Sequence, residues 1–335
     1  MTDPELPNRP DWLPAELQMV AYELARVDDL GWQIFEATLE FSKIGIVQFR
    51  DDNSEGVRKT YIESIAEVPP IISLMFGEAI NHMRSALEHT LFWLVERAAE
   101  FSLEEPIAQK VKFPICSKEQ SFKDWAKKVK VVPGLESEGP LVARVRSLQP
   151  FADSGTRIAT HNGLIGSPSY DHPLVLLQAY SNIDKHRRVH TAAAQELGLD
   201  LGPDPSGVPV EYLPPGPYEV GQLVSTGPVG VLTYMDMRPA VMLERPTDNA
   251  GWVPPGRELN ELHRYVAEVA IPTLLTGLAI PGLLPQLDLN TVQHGSTRGL
   301  GREYAFDRTM PAIEARLAET AHEVSFASQT AAESS

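Results

Sequence analysis

Apolar residues recur at steps of three and four from Pro14 to about Ile44, at Leu17, Val20, Ala21, Leu24, Val27, Ile34, Leu39 and Phe41. That period predicts an amphipathic helix, or a pair broken at Gly31. Two β-prone runs, Ile44 to Arg50 and Val57 to Ile65, flank the turn-rich Asp51, Asp52, Asn53, Ser54, Glu55 and Gly56, so a β-hairpin is expected over about 44–65. Pro69 and Pro70 then open a long helix running to roughly Glu100, with Gly77 the one breaker inside it. Beyond it the pattern predicts a short strand at Phe113 to Ile115, helices at Phe122 to Val129 and Leu141 to Leu148, and a functional or mobile loop from Ala152 to Tyr170. A further helix is predicted from Pro173 to about Leu197, capped by Asp171 and stopped by Gly198.

The texture changes after residue 200. Pro and Gly alternate with β-branched residues in Val208 to Tyr212, Gln222 to Ser225, Val229 to Met235 and Ala240 to Leu243, which predicts a small β-meander. Glu258 to Leu278 reads as a helix kinked at Pro272, and Ala312 to Val324 as one more. The fold class expected is mainly α (α+β), a helical bundle with an inserted β-hairpin and a small C-terminal β segment plus helix. Its parts are a flexible N-terminus over 1–13, the bundle over 14–198, the meander and helix packed on it over 199–282, and a loosely ordered tail over 283–335.

Composition narrows the classes of function. With 335 residues, 43% of them hydrophobic and 22% charged, the chain can bury a core. Lys and Arg number 29 against 45 Asp and Glu, a net charge of −16 that opposes whole-surface attraction to nucleic acid or anionic lipid. Lys110, Lys112, Lys118, Lys123, Lys127, Lys128 and Lys130 form one basic stretch, offset by Glu119 and Asp124. A solvated helix face is its simplest reading. The single cysteine, Cys116, excludes a disulfide framework and reads as a core thiol. Without an apolar leader, and with the run Ile271 to Leu284 interrupted by Pro272, Gly277, Pro281 and Gly282, a cytoplasmic protein with no membrane span is expected. Neither a P-loop nor a nucleophile elbow is present.

Two polar clusters interrupt otherwise apolar helices. In the first, Glu78, His82, Ser85 and His89 fall at offsets 0, 4, 7 and 11 and share one helical stripe, with Asn81 and Glu88 on an adjoining one. Arg84 stands four residues before Glu88, where the two can pair. The second cluster reads Ser181, Asn182, Ile183, Asp184, Lys185, His186, Arg187, Arg188, Val189 and His190. Burial makes such charge costly unless paired, so the clusters should meet, with Glu78 or Glu88 facing Arg187 or Arg188.

Arg84 followed by His89 in a helix of a helical core resembles the R-x4-6-H motif of HEPN-domain proteins, many of them metal-independent ribonucleases of bacterial toxin and defence systems. The resemblance covers about residues 14–195. The pairing of Arg84 to His89 with Ile183 to Arg187 is also similar to a group of uncharacterised bacterial proteins. The HEPN likeness implies a homodimer that cleaves RNA, with no DNA, membrane or cofactor involved. It implies catalytic roles for His89 in proton transfer and for Arg84 on the scissile phosphate. Ser85 follows the arginine where the family often carries Asn, Asp or His. Lys185, His186, Arg187 and Arg188 would contact substrate.

Two other classes fit the same residues. His186 and His190, with Glu78 and His82 from a facing helix, have the donor types of a metal-binding bundle. Alternatively Glu78, His82, Glu88, Asn182 and Asp184 form a polar network inside a non-catalytic binding or oligomerisation module.

Overall fold

The computed structural model describes residues 13–54, 56–136, 139–153, 155–159, 170–184, 189–195, 217–229, 239–247 and 251–279. Its axis is α2, Pro70–Ala99, which buries Ile72, Phe76, Ile80, Met83, Leu87 and Leu91 among others. Apolar residues on so many of its faces require neighbours on several sides. Helix α1, Gln18–Ser42, lies along it, and α5, Pro173–Asp184, packs on it with the C-terminal helical run, α6, Pro255–Arg264, and α7, Ile271–Thr276. Two shorter helices, α3, Glu119–Val129, and α4, Pro140–Ser147, complete the helical part. The fold is therefore mainly α with small sheets, as the periodicity predicts.

Strands β1, Val47–Ser54, and β2, Val57–Ile65, form the predicted hairpin. Its turn is tighter than the sequence suggested. Ser54 pairs with Val57, and Gly56 before Val57 has φ +76°. Asp51 to Ser54 belong to the strand, and Asp51 Oδ1 accepts the Thr60 hydroxyl across the pair at 2.6 Å. Two-residue hairpin turns need such left-handed backbone, which glycine supplies freely.

Several other expectations are corrected. Helix α1 runs through Gly31 without a break. Phe113 to Ile115 forms no strand: the Phe113 N–H bonds the Glu88 side chain of α2, and the Pro114 carbonyl accepts Nε2 of Gln149, just after α4. Helix α5 does not extend to Leu197: Thr191–Gln195 is strand β5, whose backbone groups pair with β7, Pro239–Glu244. Of the runs expected to form a meander, Val208 to Tyr212 and residues 230–235 lie outside the described residues, and the described runs, Gln222 to Ser225 and Ala240 to Leu243, do not pair with each other. Strand β6, Leu223–Pro228, adds to β2, while β7 sits between β5 and β8, Trp252–Val253. A two-residue pair, β3, Ile158–Ala159, and β4, Tyr170–Asp171, stands apart. The stretches 1–12 and 280–335, which hold the expected N-terminal lead-in and the helix Ala312 to Val324, lie outside the described residues.

The helix expected over Glu258 to Leu278 is three segments in one line. Between α6 and α7 the backbone takes a π-helical turn, Tyr265–Ala270. Pro272 has no N–H to return to Glu268, so a wider hydrogen-bond ring there absorbs the missing donor. Among the described residues no helix is long and apolar enough to cross a membrane.

Where α2 meets α5, Gly77 leaves a notch that the carboxylate of Asp184 fills, and a Cβ at 77 would collide with it. Gly77→Ala should therefore lower stability by about 1–3 kcal/mol, as over-packing does, although the same change in an open helix gains about 1 kcal/mol. Chemical denaturation of the variant beside the wild type checks this.

Candidate functional site

The polar stripe of α2 faces a row of charged residues on α1. Arg26 donates from Nε and Nη2 to Glu78 Oε1 at 2.9 and 2.8 Å, and from Nη1 to Asp29 Oδ2 at 2.6 Å. One turn along α2, His82 Nε2 lies 3.7 Å from the same Glu78 oxygen. Farther on, His89 Nδ1 stands 3.3 Å from Glu23 Oε2. These two partners differ in environment: the His89 side chain is 57% exposed, while that of Glu23 is 12% exposed. Burial raises the Glu23 pKa and the His89 charge opposes the rise. Ser85 is half-buried on the same stripe. Glu23 and Arg26 were not foreseen, although their spacing of three on the polar side of α1 was a signal.

The second cluster meets the first at one point. Asn81 donates from Nδ2 to Asp184 Oδ2 at 3.0 Å, beside the Gly77 notch. Asn182 instead accepts from Gln178 Nε2 at 2.6 Å on the exposed side of α5. Lys185, His186, Arg187 and Arg188, and with them the expected pairs to Glu78 or Glu88, lie outside the described residues.

Arg84 and Glu88 face another way. Arg84 Nη2 donates to Glu88 Oε1 at 3.1 Å, and the backbone N–H of Phe113 donates to Glu88 Oε2 at 2.6 Å. Glu88 thereby ties the 111–116 segment to α2. The Arg84 side chain is 17% exposed and its Nη1 is buried without a hydrogen-bond partner. Burial pulls the Arg84 pKa down and pushes that of Glu88 up. Five residues of helix separate Arg84 from His89 by about 140° around the axis, so on one chain the two side chains diverge.

For the metal alternative, Glu78 is held by Arg26 with His82 Nε2 3.7 Å from the same carboxylate, whereas His190 Nδ1 lies 2.9 Å from Glu244 Oε2 and its ring meets Trp252 edge-on. His190 directly precedes strand β5, and His186 lies outside the described residues. Among the described residues no group of three or more His, Cys, Asp and Glu is placed to hold a metal.

A deeper constellation went unread in the sequence. Arg245, 1% exposed, follows β7 and forks onto Glu258 of α6, Nε to Oε1 at 2.9 Å and Nη2 to Oε2 at 2.6 Å. Its remaining donors reach the carbonyls of Ile158 and Ala159 at 3.1 and 3.2 Å, and Asp171 Oδ2 lies 3.6 Å from Nη1. Tyr180 of α5 donates its hydroxyl to Glu258 Oε1 at 3.0 Å. Burial pushes the Glu258 carboxyl up and the Arg245 charge pulls it back. One signal was available: Glu258 stands four residues before Leu262, on the apolar stripe of its helix. A cleft of about 200 Å³ opens beside Glu258, lined also by Arg157, Arg257, Glu261 and Trp252.

His172, rather than Asp171, caps α5. Its Nδ1 accepts the N–H of Leu174 at 3.1 Å, which places the neutral ring's proton on Nε2, 3.6 Å from Asp153 Oδ2. Burial lowers this histidine to about 4, with Asp153 opposing.

The chain matches no family model, and comparison with curated proteins and with solved structures finds no similar one.

Two outcomes follow from the buried groups. Arg245→Met leaves the Glu258 carboxylate unpaired and should cost about 3–5 kcal/mol, and adding Glu258→Leu should recover most of it, as a double-mutant cycle would reveal. For His172 the unfolded chain binds the extra proton between about 6.5 and about 4, so its contribution is complete above that range and is lost as pH falls through it. Because Asn also caps helices, His172→Asn should keep the fold yet reduce the slope of stability against pH there by up to about 1.4 kcal/mol per pH unit.

Proposed function

We propose that the protein is a HEPN-like, metal-independent endoribonuclease of a bacterial defence or toxin type, acting as a homodimer, with His89 as its proton-transfer group. The observation that carries this reading is the pairing of a solvent-facing imidazole with a largely buried carboxylate, His89 with Glu23. A carboxylate on Nδ1 holds the proton there and leaves Nε2 free as a base. Nε2 takes the proton of a ribose 2′-hydroxyl, the 2′-oxygen attacks the adjacent phosphorus, and the 5′-oxygen leaves with a proton from an imidazolium. In a two-fold pair two copies of His89 are available for the two transfers. Arg84, held by Glu88 and turned away from His89 of its own chain, is assigned to the phosphate that His89 of the second copy acts on. Lys185, His186, Arg187 and Arg188, which follow Asp184, are assigned to phosphate contacts.

One observation favours the second reading, a non-catalytic helical binding module. Arg84, Glu88 and the Phe113 backbone form a brace in which the arginine is mostly buried, an arrangement that serves packing without any substrate.

The purified protein should cleave single-stranded RNA in EDTA, and His89→Ala should slow cleavage by roughly 10²- to 10⁴-fold with an unchanged circular dichroism spectrum. Glu23→Gln should show a smaller loss. Absence of cleavage by the wild type under these conditions decides for the binding module.

A further inference from the structure

Of the seven lysines between Lys110 and Lys130, three stand on α3. That helix buries Phe122, Ala126 and Val129 and turns Lys123, Lys127 and Lys128 outward. Neutralisation of these cations is incomplete. Lys123 and Lys127 make exposed contacts of 3.5 and 3.9 Å with Glu119 and Asp124, and Glu119 is shared with Arg146 at 3.0 Å. Among the described residues Lys118, Lys128 and Lys130 have no carboxylate partner. Lys112 adjoins Phe113 in the chain, whose N–H is bonded to the Glu88 carboxylate of α2. Glu88 is the neighbour of His89 in the chain. A local excess of cations thus lies on α3 and on the chain that leads from Lys112 into it, on a protein whose total charge is −16.

We propose that this face, from Lys112 through α3 to Lys130, binds the phosphodiester backbone of single-stranded RNA. The choice of RNA rests on the ribonuclease reading above. A membrane is a poorer fit: the apolar residues of α3 are spent in the core, so no apolar side remains to enter a bilayer, and the net charge opposes an extended anionic surface. A flexible single strand can follow a narrow basic track while the acidic remainder of the surface stays clear of it.

The test uses the full chain in EDTA and a fluorescein-labelled homouridine oligonucleotide with 2′-O-methyl sugars, which binds but cannot be cut. Anisotropy is followed from about 50 to about 200 mM salt. Each single-strand phosphate contact contributes about 0.7 to the log–log salt slope, so Lys123→Gln, Lys127→Gln and Lys128→Gln together should reduce it by about 2 and weaken binding more than ten-fold at the lower salt. Failure of the wild type to bind, or equal binding by the triple variant, overturns the proposal. So does loss of stability alone, which would mark the lysines as partners of the negative helix end. Binding by the same lysines to phosphatidylserine vesicles but not to the oligonucleotide would overturn it in favour of a membrane. The two readings separate: lysine-dependent binding without cleavage of unmodified RNA removes the nuclease and keeps this face, while cleavage with lysine-independent binding does the reverse.

Discussion

A guanidinium removed from water has to find acceptors for its N–H groups, and Arg245 finds them on three different pieces of chain. Glu258 brings α6, the carbonyls of Ile158 and Ala159 bring β3, and Asp171 brings β4. Tyr180 adds α5 through the same carboxylate. The attraction between charge and countercharge is strong at low dielectric, yet the cost of dehydrating both is of the same order, so the net stabilisation is modest. Geometry is the larger gain. Each acceptor fits only one arrangement of the fork, and shifting any of these elements strands a buried charge. Sheet and helices are thereby held in one register by a group that a purely apolar core would not need.

Helix α2 divides its circumference between two tasks. Its apolar residues meet α1, α5 and the C-terminal run, while the sector from Glu88 through Asn81 to His82 carries groups that charged partners hold in place. The partners come from different elements, Arg26 and Glu23 from α1, Asp184 from α5, and the Phe113 amide from the segment before α3. Side chains fixed from outside their own helix lose little further freedom on meeting a ligand. Among the ion-paired side chains of this sector His89 is the most exposed, being anchored at one ring nitrogen and open to solvent elsewhere.

Much of the local structure was legible because period and punctuation agree. Pro69 and Pro70 mark the start of α2, and the alternation around Gly56 marks the hairpin. The α2 stripe was legible too, since helical spacing alone puts Glu78, His82, Ser85 and His89 on one side. What could not be read were contacts between segments distant in the chain. Arg245 and Glu258 stand 13 residues apart with β8 between them, and nothing local says that Arg245 points inward. The end of α5 was misplaced because Thr191 to Gln195, with three alanines, reads as helix by propensity, whereas the β7 edge supplies hydrogen bonds that make it a strand. Strand partners after residue 200 were misjudged for the same reason: alternation identifies a strand but not its neighbour.

The π turn between α6 and α7 works as a phase shifter. In an unbroken α-helix the orientation of Leu274 would dictate that of Glu258, because every residue is a fixed 100° from the next. One wide turn uncouples the two ends, so that Glu258 meets Arg245 while Ile271 and Leu274 enter the core, and the last carbonyls of α7, Leu274 and Leu275, receive the Arg144 guanidinium. Removing a single residue from Tyr265–Ala270 would restore ordinary helical winding and swing one of these ends by about a quarter of a turn. The helix would gain regularity and the molecule would lose either its buried fork or its bond to α4.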